Sequence, residues 1–301
     1  MRVTRRFIIK LVYHPLTAFF LLVWTISLLA ASVYTYKNEI SVRNSGILKV
    51  SFLDIGQGDS ALIQTPDHHT MMIDGGPPRG GVLSLIGEQI PFYRKHIDVV
   101  LATHSDQDHI GGLPSVVDTY TPSLFFESGV HSHTSSDVLL SARVSSSTAR
   151  RLLARRGMHI ILDKENHIAV DILFPDRDVS AWTKRTNDAS IVARLTYGTT
   201  SFLFTGDSPI NIEHYLSTTY SIPHTDVLKV GHHGSRTSTS EEYVSMLSPE
   251  YGVISVGAQN RYGHPHKEAI DVLNTNHVNI LRTDQAGTID MESDGKNVYV
   301  K

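Results

Sequence analysis

Apolar and polar positions fall into two regimes along this chain. Residues 11–36 form a run of 26 without a single Asp, Glu, Lys or Arg, most apolar between 18 and 33. Twenty helical residues span about 30 Å, the hydrocarbon thickness of a bilayer, so the run predicts one N-terminal transmembrane helix. Arg2, Arg5, Arg6 and Lys10 precede it. That basic flank predicts a cytoplasmic N-terminus and an extracytoplasmic remainder at the cell membrane. Small residues at Ala30, Ala31 and Ser32 leave a cleaved signal peptide, and hence a secreted protein, as the alternative. The length of the run and the interface-suited Tyr13, Trp24, Tyr34 and Tyr36 favour the anchor.

After a polar link at 37–46 the regime changes to short apolar runs punctuated by Gly, Asp and Pro. Residues 47–53, 61–65, 71–73 and 97–103 read as strands, with turn chemistry at Gly56-Gln57-Gly58-Asp59 and at Asp74-Gly75-Gly76. Strands follow at 191–197, 201–204, 226–230, 251–256 and 278–282, and helices at 209–217, 240–247 and 265–275. A helical pattern over 137–156 stops at Gly157. Its arginines, Arg143, Arg150, Arg151, Arg155 and Arg156, read as a solvated helix face rather than a polyanion site. The alternation predicts an α/β layered sandwich, two sheets covered by helices, over residues 47–301, with residues 1–36 as anchor or signal peptide.

Composition narrows the chemistry. The 301 residues are 41% apolar and contain no cysteine. Disulfides, thiolate metal sites and a cysteine nucleophile are excluded, and any metal site must use imidazole and carboxylate. Beyond residue 36 the chain holds 23 basic against 30 acidic residues, a net of −7, so no global basic footprint for nucleic acid is present.

The densest chemistry is His-Ser-Asp-Gln-Asp-His at 104–109, following an apolar strand and preceding a helix start. Extended spacing points His104, Asp106 and Asp108 the same way, while His109 turns from Asp108. One segment can thus feed two neighbouring ions; the plainer reading is an Asp capping the helix. Two more strands end in ligand types, Thr205-Gly206-Asp207-Ser208 and Gly231-His232-His233-Gly234-Ser235.

With Phe52-Leu53-Asp54-Ile55-Gly56-Gln57-Gly58-Asp59-Ser60, Ile73-Asp74-Gly75-Gly76, Asn187-Asp188-Ala189-Ser190 and Arg261-Tyr262-Gly263-His264-Pro265, these pieces resemble the metallo-β-lactamase superfamily. More narrowly they are similar to the C-terminal domain of ComEC-type DNA-uptake proteins and its stand-alone relatives. The resemblance spans residues 47–290. It implies a four-layer αββα sandwich with one or two divalent ions. It assigns His104 and Asp106 to a first ion, Asp108, His109 and one of His232 or His233 to a second, and Asp207 to a bridge between them. The broader superfamily has His where Asp106 stands, and a further His where this chain offers Asn187. The oxygen-rich set shifts preference from Zn²⁺ toward Mn²⁺, with Zn²⁺ retained as an option.

A bound divalent ion lowers the pKa of water from 15.7 to about 7 and supplies hydroxide at neutral pH. Asp108 is placed to orient it or take its proton. Residues 234–240 offer hydroxyls, Arg236 and a helix N-terminus to an anion, with Ser235 and Thr237 among them. Capping by Ser238 or Ser240 is the alternative there. Arg261 and Tyr262 add a second phosphate clamp and His264 a proton donor. Asp54, Asp59 and Asp74 read as supports beneath the ligands, the first two by accepting backbone N–H groups. His68, His69, His131, His133, His266 and His277 read as structural or solvent-facing.

The expectation is an extracytoplasmic metal-dependent phosphodiesterase, a nuclease acting on DNA, linked to competence uptake, with no obligate protein partner. The chain shows no multi-span channel, so scavenging of nucleic acid or trimming of an envelope phosphodiester stand beside uptake. The alternatives are another hydrolase of the same fold, acting on a phosphorylcholine-type ester or lactone, and a non-catalytic DNA-binding module.

Overall fold

The computed structural model describes residues 15–43, 46–182 and 185–301. The chain divides into two units, at residues 1–45 and 46–301. In the first, α1 (Pro15–Arg43) is continuous, so helix runs through most of the segment read as a polar link. Large apolar side chains from Phe19 to Tyr34 are exposed along it. Thr25 and Ser27 return their hydroxyls to carbonyls of the preceding turn. Among the described residues no helix is long and apolar enough to cross a membrane. The basic flank Arg2 to Lys10 and Tyr13 lie outside the described residues.

The second unit begins with β1 (Leu48–Phe52), β2 (Ala61–Gln64), β3 (Thr70–Ile73), β4 (Val99–Ala102), β5 (Leu124–Glu127) and β6 (Arg150–Leu153). It crosses to a second sheet with β7 (His159–Asp163), β8 (Ile168–Phe174), β9 (Val192–Tyr197), β10 (Thr200–Phe204), β11 (Val227–Lys229), β12 (Tyr251–Ile254) and β13 (Asn279–Arg282). It then returns with β14 (Ile289–Ser293) and β15 (Val298–Val300). The orders are β15-β14-β1-β2-β3-β4-β5-β6 and β13-β12-β11-β10-β9-β8-β7.

Burial separates these strands into layers. Val50, Ile63, Met71 and Leu101 of the first sheet meet Val170, Ala193, Phe202 and Val227 of the second in one apolar seam. Alternate residues face outward onto helices. Leu62, Met72 and Val100 pack under α2 (Val82–Gln89), α4 (Leu113–Tyr120) and α5 (Ser135–Ser146). Val192, Leu203 and Leu228 pack under α6 (Ile210–Thr219), α7 (Glu241–Leu247) and α8 (Lys267–Thr275). Helix, sheet, sheet and helix form the four-layer α/β sandwich.

One expected element is corrected. The helix read over 137–156 ends at Ser146, and Arg150–Leu153 becomes the edge strand β6, paired in parallel with β5. Ser147 stops the helix by returning its hydroxyl to the Val144 carbonyl and accepting the Ala149 amide. Pairing with β5 then outweighs the weak helical preference beyond it. Two of the arginines are also engaged within the fold: Arg151 forks onto Glu127, and Arg155 donates to the Ser128 carbonyl.

β3 to β6 run parallel, as do β10 to β13. Their carboxyl ends are where loops leave both sheets, the place where α/β sheets present ligand sites.

Candidate metal centre

The loop after β4 lies between the ends of β3 and β10. His104 is fully buried there. Asp106 occupies the cap position of α3 (Gln107–Ile110), yet its carboxylate caps nothing. It lies 3.8 Å from His104 Nε2 instead. The capping explanation of this loop therefore fails. α3 sends its next two side chains apart. Asp108 Oδ2 lies 3.3 Å from His233 Nε2, and His109 Nε2 lies 3.1 Å from Asp207 Oδ1.

Asp207 sits where these loops converge. Its Oδ2 is 3.5 Å from His232 Nε2, 3.8 Å from His233 Nε2 and 3.9 Å from His104 Nε2. Its backbone N–H donates to Ser190 Oγ at 3.2 Å. The loop after β11 delivers the histidine pair through two successive left-handed residues, His232 at φ 49° and His233 at φ 56°. Non-glycine residues rarely adopt this conformation, and the strain is characteristic of functional sites. Ser238 Oγ holds the turn by donating to the Gly231 carbonyl.

The hydrogen bonds behind the rings decide which nitrogen faces the centre. Asp74 Oδ1 accepts the Thr103 amide, and Oδ2 accepts the Thr103 hydroxyl at 2.7 Å. Thr103 Oγ1 lies 3.0 Å from His104 Nδ1 and, its own proton committed to Asp74, acts there as acceptor. Asp74 Oδ2 also lies 2.8 Å from His109 Nδ1. The carbonyl of Ser255 lies 3.0 Å from His233 Nδ1. All three imidazoles therefore donate through Nδ1 and turn Nε2, the nitrogen that would hold an ion, inward, an assignment made from the network.

The surroundings are short of positive charge. Burial pushes the Asp207 carboxyl up, but His109, His233 and His104 outweigh it and hold it well below the usual range. Burial also raises Asp108, and the His233 and His109 imidazoles more than offset that. For Asp59 the same contest is won chiefly by Lys229, then His233 and His109. In reverse, burial lowers His109 and His233, while Asp207 with Asp74 or Asp59 raises both, His233 to about 9. His104 is pulled down by burial and His109.

Nε2 of His104, His109 and His233 and Oδ1 of Asp207 are buried without a hydrogen-bond partner. His109 and Asp207 approach closely but out of hydrogen-bonding alignment. Each unsatisfied buried group costs about 1–3 kcal/mol. A divalent cation satisfies them together, so the residues present fit one. Ligand-type atoms of Asp59, His109, Asp207 and His233 all lie within 4.8 Å of one another. Nitrogen and carboxylate donors without thiolate suit Zn²⁺ and Mn²⁺ alike.

The structure separates His232 from His233. His233 is buried, with its Nε2 inside the cluster, whereas His232 is partly exposed and its Nδ1 lies 3.2 Å from Thr237 Oγ1. Asp54 is exposed and accepts the amide of Gly56, away from the cluster. Asp59 accepts no backbone N–H with its carboxylate; it meets Lys229 and His233. Asn187 supports the site only through its carbonyl, which accepts the Ser190 amide.

The anion site expected at the helix N-terminus is a further correction. The Thr239 and Ser240 amides at the start of α7 donate to the buried carboxylate of Glu213, at 2.6 and 2.7 Å. An internal anion already fills the position, and neither Ser238 nor Ser240 caps the helix. What stays open toward solvent is Arg236 and Thr237, with Ser235 bonded to Thr237 beneath them. Tyr262 stacks on His264 at 5.7 Å and is half exposed, and Arg261 donates to its hydroxyl. His264 is pushed down to about 4 by burial and by His233, His232 and His266, so it is a neutral imidazole. Thr103, Ser190, Glu213, Lys229 and Ser255 were not among the expected site residues. Lys229 carried a signal, a lone charge inside an otherwise apolar strand.

The metallo-beta-lactamase superfamily model matches residues 53–258, which include every donor of this cluster. The chain belongs to the metallo-beta-lactamase superfamily. Among curated relatives it is 33% identical over 262 residues to ComE operon protein 3 of Bacillus subtilis, covering 80% of this chain and 32% of that protein. It is 27% identical over 267 residues to competence protein ComA of Neisseria gonorrhoeae, covering 88% and 35%. The chain thus spans about a third of the length of these relatives. Solved structures share the fold. The metallo-beta-lactamase fold protein YhfI of Bacillus subtilis superposes with a TM-score of 0.55 at 15% identity, covering 82% of this chain and 99% of that one. The metallo hydrolase Igni18 of Ignicoccus hospitalis gives 0.51 at 15% identity, covering 81% and 98%. Superfamily membership and the His/Asp cluster mark this chain as a metal-dependent hydrolase of the metallo-beta-lactamase fold, with relatives among competence proteins.

Proposed function

We propose that the chain is an extracytoplasmic phosphodiesterase that cleaves DNA, held at the membrane by α1. The observation that carries the reading is the convergence of three buried, partnerless Nε2 atoms on Asp207, with the exposed Arg236 and Thr237 following His233 on the same loop. The names of the curated relatives support DNA uptake as the setting. The exposed apolar side chains of α1 support membrane attachment.

In this reading His104 and Asp106 would hold one ion, and Asp108, His109 and His233 another, with Asp207 available to both. A bound divalent ion, Mn²⁺ or Zn²⁺, would lower the pKa of water from 15.7 to about 7 and would offset charge on phosphoryl oxygens. Asp108, ionised and reached by solvent, orients the attacking water and takes its proton. Arg236 and Arg261 face the phosphate, with Ser235 and Thr237 as hydroxyl donors. His264 contributes a neutral imidazole hydrogen bond rather than a proton at pH 7. No serine nucleophile enters.

A substrate panel tests the assignment. The purified chain with Mn²⁺ is expected to shorten single-stranded DNA faster than it turns over a phosphorylcholine ester or a lactone. Turnover confined to a small ester or lactone overturns the DNA reading. Ion binding without turnover of any of them leaves a binding module. Membrane attachment is checked by the mass of the mature N-terminus, which an anchor leaves uncleaved.

A further inference from the structure

Asp59 lies among the metal-ligand candidates by distance, but on the wrong side of them. Its Oδ1 is 3.1 Å from His233 Nδ1 but out of hydrogen-bonding alignment, since that nitrogen faces the Ser255 carbonyl, and its Oδ2 is 4.0 Å from His109 Nδ1. The atoms that converge on Asp207 and Asp108 are the opposite nitrogens, Nε2 of both rings. The two ring nitrogens of an imidazole point their bonding directions apart. A carboxylate facing Nδ1 is therefore behind the ring when Nε2 holds an ion.

What fixes Asp59 there is Lys229. Its Nζ lies 2.7 Å from Asp59 Oδ2 and donates to the Val230 carbonyl at 2.9 Å. Both side chains are buried, at 5% and 7% exposure. The backbone reinforces the position. The Asp59 amide donates to the Asp108 carbonyl, and the Gly76 amide to that of Asp59. A Cβ at Gly58 would run into the Asp108 carbonyl oxygen, so the Gly56–Asp59 turn closes directly on the back of α3 only with glycine there. Beside the ion pair is a cavity of about 10 Å³ walled by Phe52 and Phe204. It admits about one water, so no substrate reaches Lys229.

We propose that Lys229 is a positioning residue that holds Asp59 behind His233 and His109, so that this carboxylate stays there as a fixed negative charge, out of the metal coordination sphere. The inference rests on the metal-centre reading above. It assigns two residues of the sequence, the last Asp of Gly-Gln-Gly-Asp and the lone Lys of β11, to one task. Asp74 and Thr103 meet the Nδ1 atoms of His109 and His104 directly, at 2.8 and 3.0 Å.

Two measurements test it. In a crystal structure of the Mn²⁺-loaded chain, Asp59 should remain on Lys229. Asp59 oxygen bound directly to an ion overturns the proposal. The second compares Asp59→Asn, Lys229→Met and the double variant by Mn²⁺ electron paramagnetic resonance and urea unfolding. Each single variant strands one buried charge and should lose stability. The double variant removes both charges and should recover most of it. Its Mn²⁺ affinity should nonetheless stay about 10–100-fold below that of the unaltered chain, because the carboxylate behind the rings is gone. Recovery of affinity together with stability means that the pair is only structural and overturns the proposal. The double variant gives this answer even where a single variant does not fold. If the unaltered chain binds no ion at all, the metal-centre reading fails instead, and the inference with it.

Discussion

Asp74 Oδ2 lies 2.8 Å from His109 Nδ1, with both groups fully buried, and the same oxygen accepts the hydroxyl of Thr103 behind His104. One carboxylate thus sets the tautomer of two imidazoles on α3 and its approach. Asp74→Asn places an amide N–H where an acceptor is needed. The expected outcome is a loss of Mn²⁺ or Zn²⁺ affinity of about 10–100-fold, measured by competition with a chelator. Thr103→Val should cost less, because it releases only His104.

The histidine pair predicts an asymmetry. His233→Ala removes a buried donor aimed at Asp207 and Asp108 and should abolish occupancy of its ion in equilibrium dialysis. His232→Ala removes a partly exposed ring tied to Thr237 and should leave affinity within about tenfold. Equal losses would mean that the two rings share the coordination.

Glu213 predicts a stability effect at a distance from the chemistry. Its buried carboxylate accepts two amides at the start of α7, and burial raises its pKa against their pull. Glu213→Gln turns an N–H toward one of those amides and should destabilise by about 1–3 kcal/mol in urea unfolding. An unchanged midpoint would show that the loop after His233 is anchored elsewhere.

His69 and Asp98 predict a pH dependence at the opposite end of the strands. Their side chains meet at 2.9 Å at the starts of β3 and β4. Burial lowers the His69 imidazole, but Asp98 and Asp67 outweigh it and raise it above 6.5. A raised folded-state value stabilises the protein below 6.5, and the contribution is lost as pH rises through that higher value. The urea midpoint gap between the unaltered chain and His69→Gln should therefore be widest below pH 6 and narrow as pH rises through the raised value. The half-exposed pair keeps the effect small. A gap that widens with pH would contradict it.

The layers were legible because apolar runs such as 97–103 and 226–230 end abruptly in Asp, His and Gly, marking buried strands that stop at one edge of a sheet. The donors were legible because they cluster at those ends. The edge strand β6 was not, since Arg150 to Leu153 gains its strand character only from β5 beside it. The surroundings of Asp59 and Glu213 were hidden for a related reason. Their partners, Lys229 and the amides of Thr239 and Ser240, are distant in sequence, and no local pattern reports which side of an imidazole a carboxylate will face. The different burial of His232 and His233 was hidden because both follow one strand end and spacing does not report which ring turns inward.

The central claim is that the Asp207 centre hydrolyses phosphodiesters with a bound ion and Asp108. The most direct measurement is cleavage of end-labelled single-stranded DNA by the purified chain and by Asp108→Ala, each with Mn²⁺ and with excess chelator. The account predicts shortened DNA only for the unaltered chain with Mn²⁺. Intact DNA in that lane with the ion bound, or equal shortening by Asp108→Ala, would contradict it.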